Sequence, residues 1–265
     1  MLSSFSARFA FGASSPVGGG GITPDQLPNL LAWYKADSLV GYNNGDPVAL
    51  LPDSSGNSLD LDQLIGFGPS PTYIAADANF NNKPSINFTG GRGLVRYLSY
   101  GQFPTGANPF TMYMVGYSSR TYFDFAIDFM FGWGQNSDAR RVAFVNAYYV
   151  AGGGGYYVDC CNTGAGGSYT SPGSVPYIFS YSYNGGDLAS PPNIFYQNDV
   201  PHATGVSGFN LNLNNMQVTM GCMPDFGGGF SMWGRITEAI VYTQYHDLTT
   251  KQQIWNYFNQ KYSVY

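Results

Sequence analysis

Apolar side chains along most of this chain recur in short runs that stop at Gly-, Pro- or Asn-rich clusters. The runs include Leu30 to Tyr34, Ser85 to Phe88, Phe110 to Tyr117, Val142 to Val150, Tyr177 to Tyr183, Asn193 to Gln197 and Gln217 to Met220. Between them stand Asn43-Asn-Gly-Asp-Pro, Gly152 to Gly155, Asn184-Gly-Gly-Asp and Ser190-Pro-Pro-Asn. Short strands with regular turns and almost no helix predict a sandwich or barrel. The closing stretch adds one more strand, in which Ile236, Ala239, Val241 and Tyr242 suit a half-buried pleated surface. A single helix is predicted after it, because Ile254, Trp255, Phe258 and Tyr262 fall on one apolar stripe. Thr249 with Gln252 three residues on fits a capping box. Near the other end, Thr23-Pro-Asp-Gln predicts one helical turn, with Pro at its first position.

Residues 1 to 21 differ in kind. Phe5, Phe9 and Phe11 are interleaved with small residues, and Ser14 to Gly21 has the composition of a flexible linker. The expected division is an extended Gly-rich anchoring arm over 1–21 and one β domain over 22–265. Such an arm cannot bury itself, so a neighbouring subunit is expected to hold it.

Composition removes several function classes. Only 10% of residues are charged, against about 25% in an average domain, while aromatics make up 17%. That balance is the reverse of a disordered chain. The net charge is -5, and eleven Lys plus Arg are scattered singly, so no basic stripe for nucleic acid forms. No apolar run approaches the ~20 residues that span a bilayer. The N-terminus lacks a Lys- or Arg-first segment, and Arg8 interrupts its short apolar patch, so no export signal is expected. Cys160 and Cys161 are adjacent, where an ordinary disulfide is sterically poor, and with Cys222 they are expected to stay reduced.

Five segments in order resemble the concanavalin A-like lectin/glucanase superfamily, and within it the laminin-G-like jelly rolls found in bacterial and phage proteins. They are Asn29-Leu-Leu-Ala-Trp-Tyr-Lys-Ala-Asp-Ser, Pro52-Asp-Ser-Ser-Gly-Asn-Ser-Leu-Asp-Leu, Lys83-Pro-Ser-Ile-Asn-Phe-Thr-Gly, Ile194-Phe-Tyr-Gln-Asn-Asp-Val and Gly234-Arg-Ile-Thr-Glu-Ala-Ile-Val-Tyr with its following helix. Asp199 stands where that family usually has Gly, and residues 118 to 190 match nothing in the pattern. The resemblance implies an all-β, two-sheet antiparallel jelly-roll sandwich with a single C-terminal helix. Trp33, Phe88, Ile236 and Val241 would belong to its core.

The superfamily includes glycosidases, which need two carboxyl groups at a set separation. Glu238 is the only glutamate and belongs to the closing-strand pattern. Asp124 and Asp128 would share a strand face, but turn or solvent-facing roles are expected for them. His202 and His246 read as surface loop residues, which leaves no nucleophile–base pair. The expectation is no enzyme. The resemblance also implies a possible rim calcium, for which Asp37, Asp53 and Asp225 are the available loop acids. Local Asx-type turns are the expected use of Asp37 and Asp53, so no cofactor is expected.

Carbohydrate or partner contact is left. The candidates are Tyr122, Trp133, Arg140, Tyr148, Tyr149, Tyr156 and Tyr157, with Tyr169, Asn136 and Asn146 beside them. Aromatics with amides suit sugar faces and hydroxyls, and Tyr, Trp and Arg equally suit a protein contact. The leading expectation is a non-enzymatic bacteriophage virion protein, a capsid decoration or tail-fibre component held to other virion proteins by its arm. It would be made in the host cytoplasm as a homo-oligomer, and its sandwich would be open to host glycans. The alternatives are a secreted or cell-surface carbohydrate-binding module and, second, an unusual glycoside hydrolase using Asp124 and Asp128.

Overall fold

A computed structural model describes residues 21–64, 68–91, 93–99, 101–120, 127–135, 140–149, 153–160, 164–168, 173–187, 193–202, 211–213, 217–224 and 230–265. Among them lie two antiparallel sheets and one α-helix. The first sheet runs in the order β14 (Val200–His202), β13 (Ile194–Gln197), β12 (Tyr177–Tyr183), β7 (Phe110–Ser118), β16 (Trp233–Tyr242), β5 (Lys83–Thr89) and β4 (Thr72–Asp77). β1 (Leu30–Lys35) also pairs with β16. The second sheet runs β11 (Gly164–Ser168), β10 (Gly153–Asp159), β9 (Arg141–Tyr149), β8 (Ile127–Gly134), β15 (Gln217–Met220), β6 (Leu94–Tyr97), β3 (Leu61–Gln63) and β2 (Leu50–Leu51). Helix α1 (Leu248–Tyr262) closes the chain. The expected all-β sandwich with one C-terminal helix is therefore what the chain builds. Phe5, Phe9 and Phe11 lie outside the described residues.

Aromatic rings fill the space between the sheets. Phe110 of β7 meets Trp133 of β8 at 4.8 Å between ring centroids, and Phe179 of β12 meets Tyr156 of β10 at 4.8 Å. These tilted and edge contacts add to the area the rings remove from water. Phe88, Ile236 and Val241 join this inner core as expected. Trp33 does not; it belongs to a second core beneath the helix.

That second core explains why β7 is buried along its whole length. Its even positions, Met112 and Met114, face the other sheet, while Tyr113, Val115 and Tyr117 face α1. A strand covered on both sides reads as continuous apolar sequence rather than as an alternation. From the helix, Ile254, Trp255, Phe258 and Tyr262 pack down as the stripe predicts. Burying each such large side chain contributes about 1.5–3 kcal/mol, which offsets the marginal stability of an isolated fifteen-residue helix. The expected capping box is not the one used. Asp247 caps α1 instead, its carboxylate accepting from Thr250 N at 2.8 Å and Thr250 Oγ1 at 2.7 Å.

A β-bulge in β16 then places Glu238. The register against β7 shifts between Ile236 and Glu238, so Ala239 and Val241 rejoin Ile236 on the inner face. Glu238 is turned toward the helix, where it is fully buried. Its carboxylate accepts from Trp33 Nε1 at 2.5 Å, Tyr257 OH at 3.0 Å, Tyr262 OH at 2.5 Å and Lys261 Nζ at 2.8 Å. Lys261 also pairs with Asp37 at 2.8 Å. Burial alone would lower the Lys261 pKa, but the Glu238 and Asp37 carboxylates outweigh it and hold the ammonium above its ordinary value.

His246 is not the surface residue expected from sequence. Its ring is buried, with Nδ1 2.8 Å from Tyr113 OH and Nε2 3.1 Å from Gln244 Nε2. Gln244 Oε1 accepts from Asn29, so the Gln244 amide NH₂ faces the ring. The imidazole proton therefore sits on Nδ1 and is donated to Tyr113. Burial, then the nearby Lys251 ammonium, pushes the His246 pKa down to about 4. His202 is half-buried at the end of β14, 5.8 Å from the Phe195 ring.

Two outcomes follow for stability. Glu238→Ala leaves two phenols and the Trp33 indole N–H without their acceptor and takes from Lys261 one of its two carboxylates, and should cost about 3–5 kcal/mol in denaturant unfolding; a loss under about 1 kcal/mol contradicts the anchoring role. For His246 the folded pKa lies below the ordinary 6.5, so between pH 6.5 and 4 the unfolded chain binds the extra proton. Stability from this group is complete above 6.5 and falls by about 3 kcal/mol toward pH 4. Asp128, described below, has a raised pKa and works in the opposite direction over part of this range. The check is therefore the difference in unfolding free energy between wild type and His246→Gln, which should shrink as pH falls from 6.5 to 4. A difference that stays constant over that range contradicts a neutral buried imidazole.

Candidate functional site

A polar cleft opens at one end of the sandwich. Residues Gly106 and Leu213 form an isolated bridge, each backbone N donating to the other's carbonyl at 2.8 and 3.1 Å. Asn108 N donates to Thr105 O at 3.1 Å and closes the turn. Gly106 has φ +57° with open space where a side chain would stand. Across the cleft is Arg140, in the turn that joins β8 to β9. Gly134 makes that turn possible. Its φ is +121°, and a Cβ there would lie 2.2 Å from the Arg140 carbonyl oxygen. Together Thr105, Gly106, Asn108, Arg140, Asn212 and Leu213 line a space of about 390 Å³. Asn108, Asn212 and Arg140 are exposed, so their amides and guanidinium are free for a ligand.

Among the described residues expected at a contact surface, Arg140 alone lines this cleft. Trp133 is a correction, because it is completely buried between the sheets. Its indole Nε1 donates to Pro104 O at 3.2 Å, and its ring packs 5.5 Å from Phe103. It therefore ties down the loop that carries Thr105 to Asn108, with its own face unavailable to a sugar. Tyr156 is a second correction. It is buried, and its hydroxyl accepts from Ser118 N at 2.9 Å. Tyr157 is half-buried on the outer face of the second sheet with Phe129 and Val145. Tyr148 and Tyr149 lie on β9 opposite Gly154 and Gly153. Tyr122, Asp124, Asn136, Tyr169 and Asp225 lie outside the described residues.

Asp128 occupies the far end of β8, about 20 Å from the Gly134 turn at ~3.4 Å per residue. Sequence placed it in a turn or in solvent, yet it is fully buried. It pairs with Arg120 Nε at 2.9 Å, accepts from Trp233 N at 3.2 Å and accepts a short hydrogen bond from Ser118 Oγ. Burial pushes its pKa up to about 6, against the Ser118, Arg120 and Trp233 contacts, which hold it down. Beside it in register are Asn146 and, one strand further, Tyr156. Asn146 is buried, and neither amide atom has a hydrogen-bond partner. Trp233 stands at this same end, 45% exposed, with the Arg120 guanidinium 5.7 Å from its ring centroid. Trp233 is not among the residues that the sequence patterns single out; its place at the very first residue of the closing strand was the available signal.

Two of the three loop acids weighed for calcium have other work. Asp53 accepts from the backbone N of Trp33, Ser55 and Leu59 at 2.9, 2.9 and 3.1 Å, and Asp37 pairs with Lys261. Among the described residues no group of three or more His, Cys, Asp or Glu could hold a metal. Cys160 and Cys222 are both buried. Among the described residues no helix is long and apolar enough to cross a membrane.

No family model and no curated protein matches the chain. Solved structures do resemble its fold. Domain 4 of AbnA, an extracellular GH43 arabinanase from Geobacillus stearothermophilus solved with arabinotriose, aligns with a TM-score of 0.56 at 13% identity, covering 86% of this chain and 97% of that domain. A GH54 α-L-arabinofuranosidase soaked with a cyclic sulfate inhibitor aligns at 0.60 and 16% identity, covering 87% of this chain and 54% of the enzyme. Trypanosoma rangeli sialidase aligns at 0.55 and 12% identity, covering 88% of this chain and 33% of the enzyme. The chain thus spans the whole arabinanase domain, about half of the arabinofuranosidase and a third of the sialidase.

At these identities the likeness shows a β-sandwich fold and nothing finer. It still corrects two expectations. The non-enzymatic virion protein, with its capsid and tail-fibre roles, is withdrawn, because the neighbours of this sandwich are glycosidases and a glycosidase domain. The expectation of no enzyme is withdrawn on the same finding.

Proposed function

We propose that this chain is the β-sandwich of a carbohydrate-active protein, working outside the cell or at its surface, and that the Arg140 cleft holds a glycan. The observation that carries this is the cleft's chemistry. A space of about 390 Å³ falls in the range of small-ligand sites, and the side chains free to meet a ligand are two amides, a hydroxyl and a guanidinium. Sugar hydroxyls both donate and accept, and amides match them in both roles. The arabinanase domain that shares the fold over 97% of its length was solved with a bound arabino-oligosaccharide, which supports the same use for this sandwich. Kinship with the concanavalin A-like superfamily is part of this proposal. It is supported by the structural work of the resembling segments, among them the Asp53 turn and the bulged closing strand.

Calorimetric titration with arabino-, xylo- and galacto-oligosaccharides tests the proposal. One series should bind with Kd between about 10 μM and 1 mM. Replacing Asn108 and Asn212 together with Ala should weaken it about tenfold, at ~0.5–1.5 kcal/mol per hydrogen bond. Absence of binding to every series, or binding indifferent to both substitutions, contradicts the assignment.

Hydrolysis is the second possibility, favoured by Asp128. A carboxyl group raised to about 6 keeps, up to about that pH, the proton a general acid must deliver, and the half-exposed Trp233 beside it offers a face for a sugar. A second carboxyl group is also required. Cleavage products should appear when the bound oligosaccharide is incubated with the protein, and Asp128→Asn should reduce the rate about a hundredfold or more while keeping the circular dichroism spectrum. Full activity in Asp128→Asn removes Asp128 from the chemistry.

A further inference from the structure

We infer that the cleft selects a carboxylate-bearing sugar, a hexuronic acid unit, through Arg140; this rests on the glycan assignment above. Three ion pairs give the contrast. Arg120 pairs with Asp128, Arg141 with Asp159 at 2.7 Å, and Arg235 with Asp77 at 2.8 Å. Arg140 pairs with no described carboxylate, and it faces the cleft. Among the described residues no Asp or Glu lines that space. A guanidinium has five donors and no acceptor. Its neighbours Thr105, Asn108 and Asn212 are neutral, and the Gly106 and Leu213 amides are already spent on each other. The group is therefore uncompensated, and the strongest partner it can take is a planar carboxylate held by two parallel hydrogen bonds.

The position of Arg140 suits that task. Its backbone is fixed by Gly134 and by the Gln135 N to Arg140 O bond of 2.9 Å, at the end of two paired strands. Asn108 and Asn212 stand around the same space and can take the ring hydroxyls. The chain's net charge of -5 repels an anion in general, but beyond about 8 Å that repulsion is screened at physiological salt. At contact distance the local guanidinium decides.

The experiment compares sugars that differ only in the carboxylate. Trigalacturonate is titrated against galactotriose of the same linkage, and glucuronate-substituted xylotriose against plain xylotriose. In at least one pair the acidic sugar should bind about tenfold tighter or more. Arg140→Gln should weaken the acidic sugar far more than its neutral partner and so remove that gain, and Arg140→Lys should keep part of it. Equal affinity within both pairs, or a gain that survives Arg140→Gln, overturns the inference. If neutral sugars bind and the acids gain nothing, only the charge selectivity falls. If no sugar binds at all, the glycan assignment falls and takes this inference with it.

Discussion

A buried carboxylate with four donors around it holds the two halves of this fold in register. Glu238 is reached by Trp33 from β1, by Tyr257, Lys261 and Tyr262 from α1, and through Lys261 by Asp37. An ionised group taken out of water is strongly unfavourable unless its acceptor sites are filled. The requirement that they be filled fixes where the helix lies along the sheet. From there Trp255 and Phe258 cover the outer faces of β7, β12 and β16, with Trp255 Nε1 donating to Ser180 of β12 at 3.1 Å. With that face sealed, β7 can be apolar on both sides, and its inner residues can meet the second sheet.

The second sheet carries the polar chemistry at its two ends. One end of β8 holds Asp128, a buried carboxyl group held by Ser118, Arg120 and the Trp233 backbone. The other leads through the Gly134 turn to Arg140 and the open cleft. Trp133, one residue before that turn, fastens the loop of Thr105 to Asn108 to the core. The rigid core thus positions a cleft whose own residues lie in loops, the usual division of labour between scaffold and site.

Local patterns made much of the fold legible. The strand runs at Tyr177–Tyr183 and Gln217–Met220 coincide with β12 and β15, and the stripe Ile254, Trp255, Phe258 and Tyr262 is the buried face of α1. What sequence missed depends on partners distant along the chain. The bulge that turns Glu238 toward the helix leaves no mark in the composition of β16. Trp133 and Tyr156 looked like ligand aromatics because rings beside amides suit sugar faces, yet both are buried and their polar atoms find backbone partners. His246 looked like a loop residue, and its burial depends on Tyr113 and Gln244. The cleft itself arises where Gly106 bridges Leu213 and Arg140 is folded across, an arrangement that no single segment announces.

The most direct test of the account is a heteronuclear NMR titration of the folded protein with the best-binding acidic oligosaccharide, following backbone amides and arginine Nε–Hε signals. The account predicts saturable shifts confined to Thr105–Asn108, Arg140 and Asn212–Leu213, with the Arg140 side chain among the largest. Shifts centred on Arg120, Asp128 and Trp233, with the cleft unmoved, would contradict it.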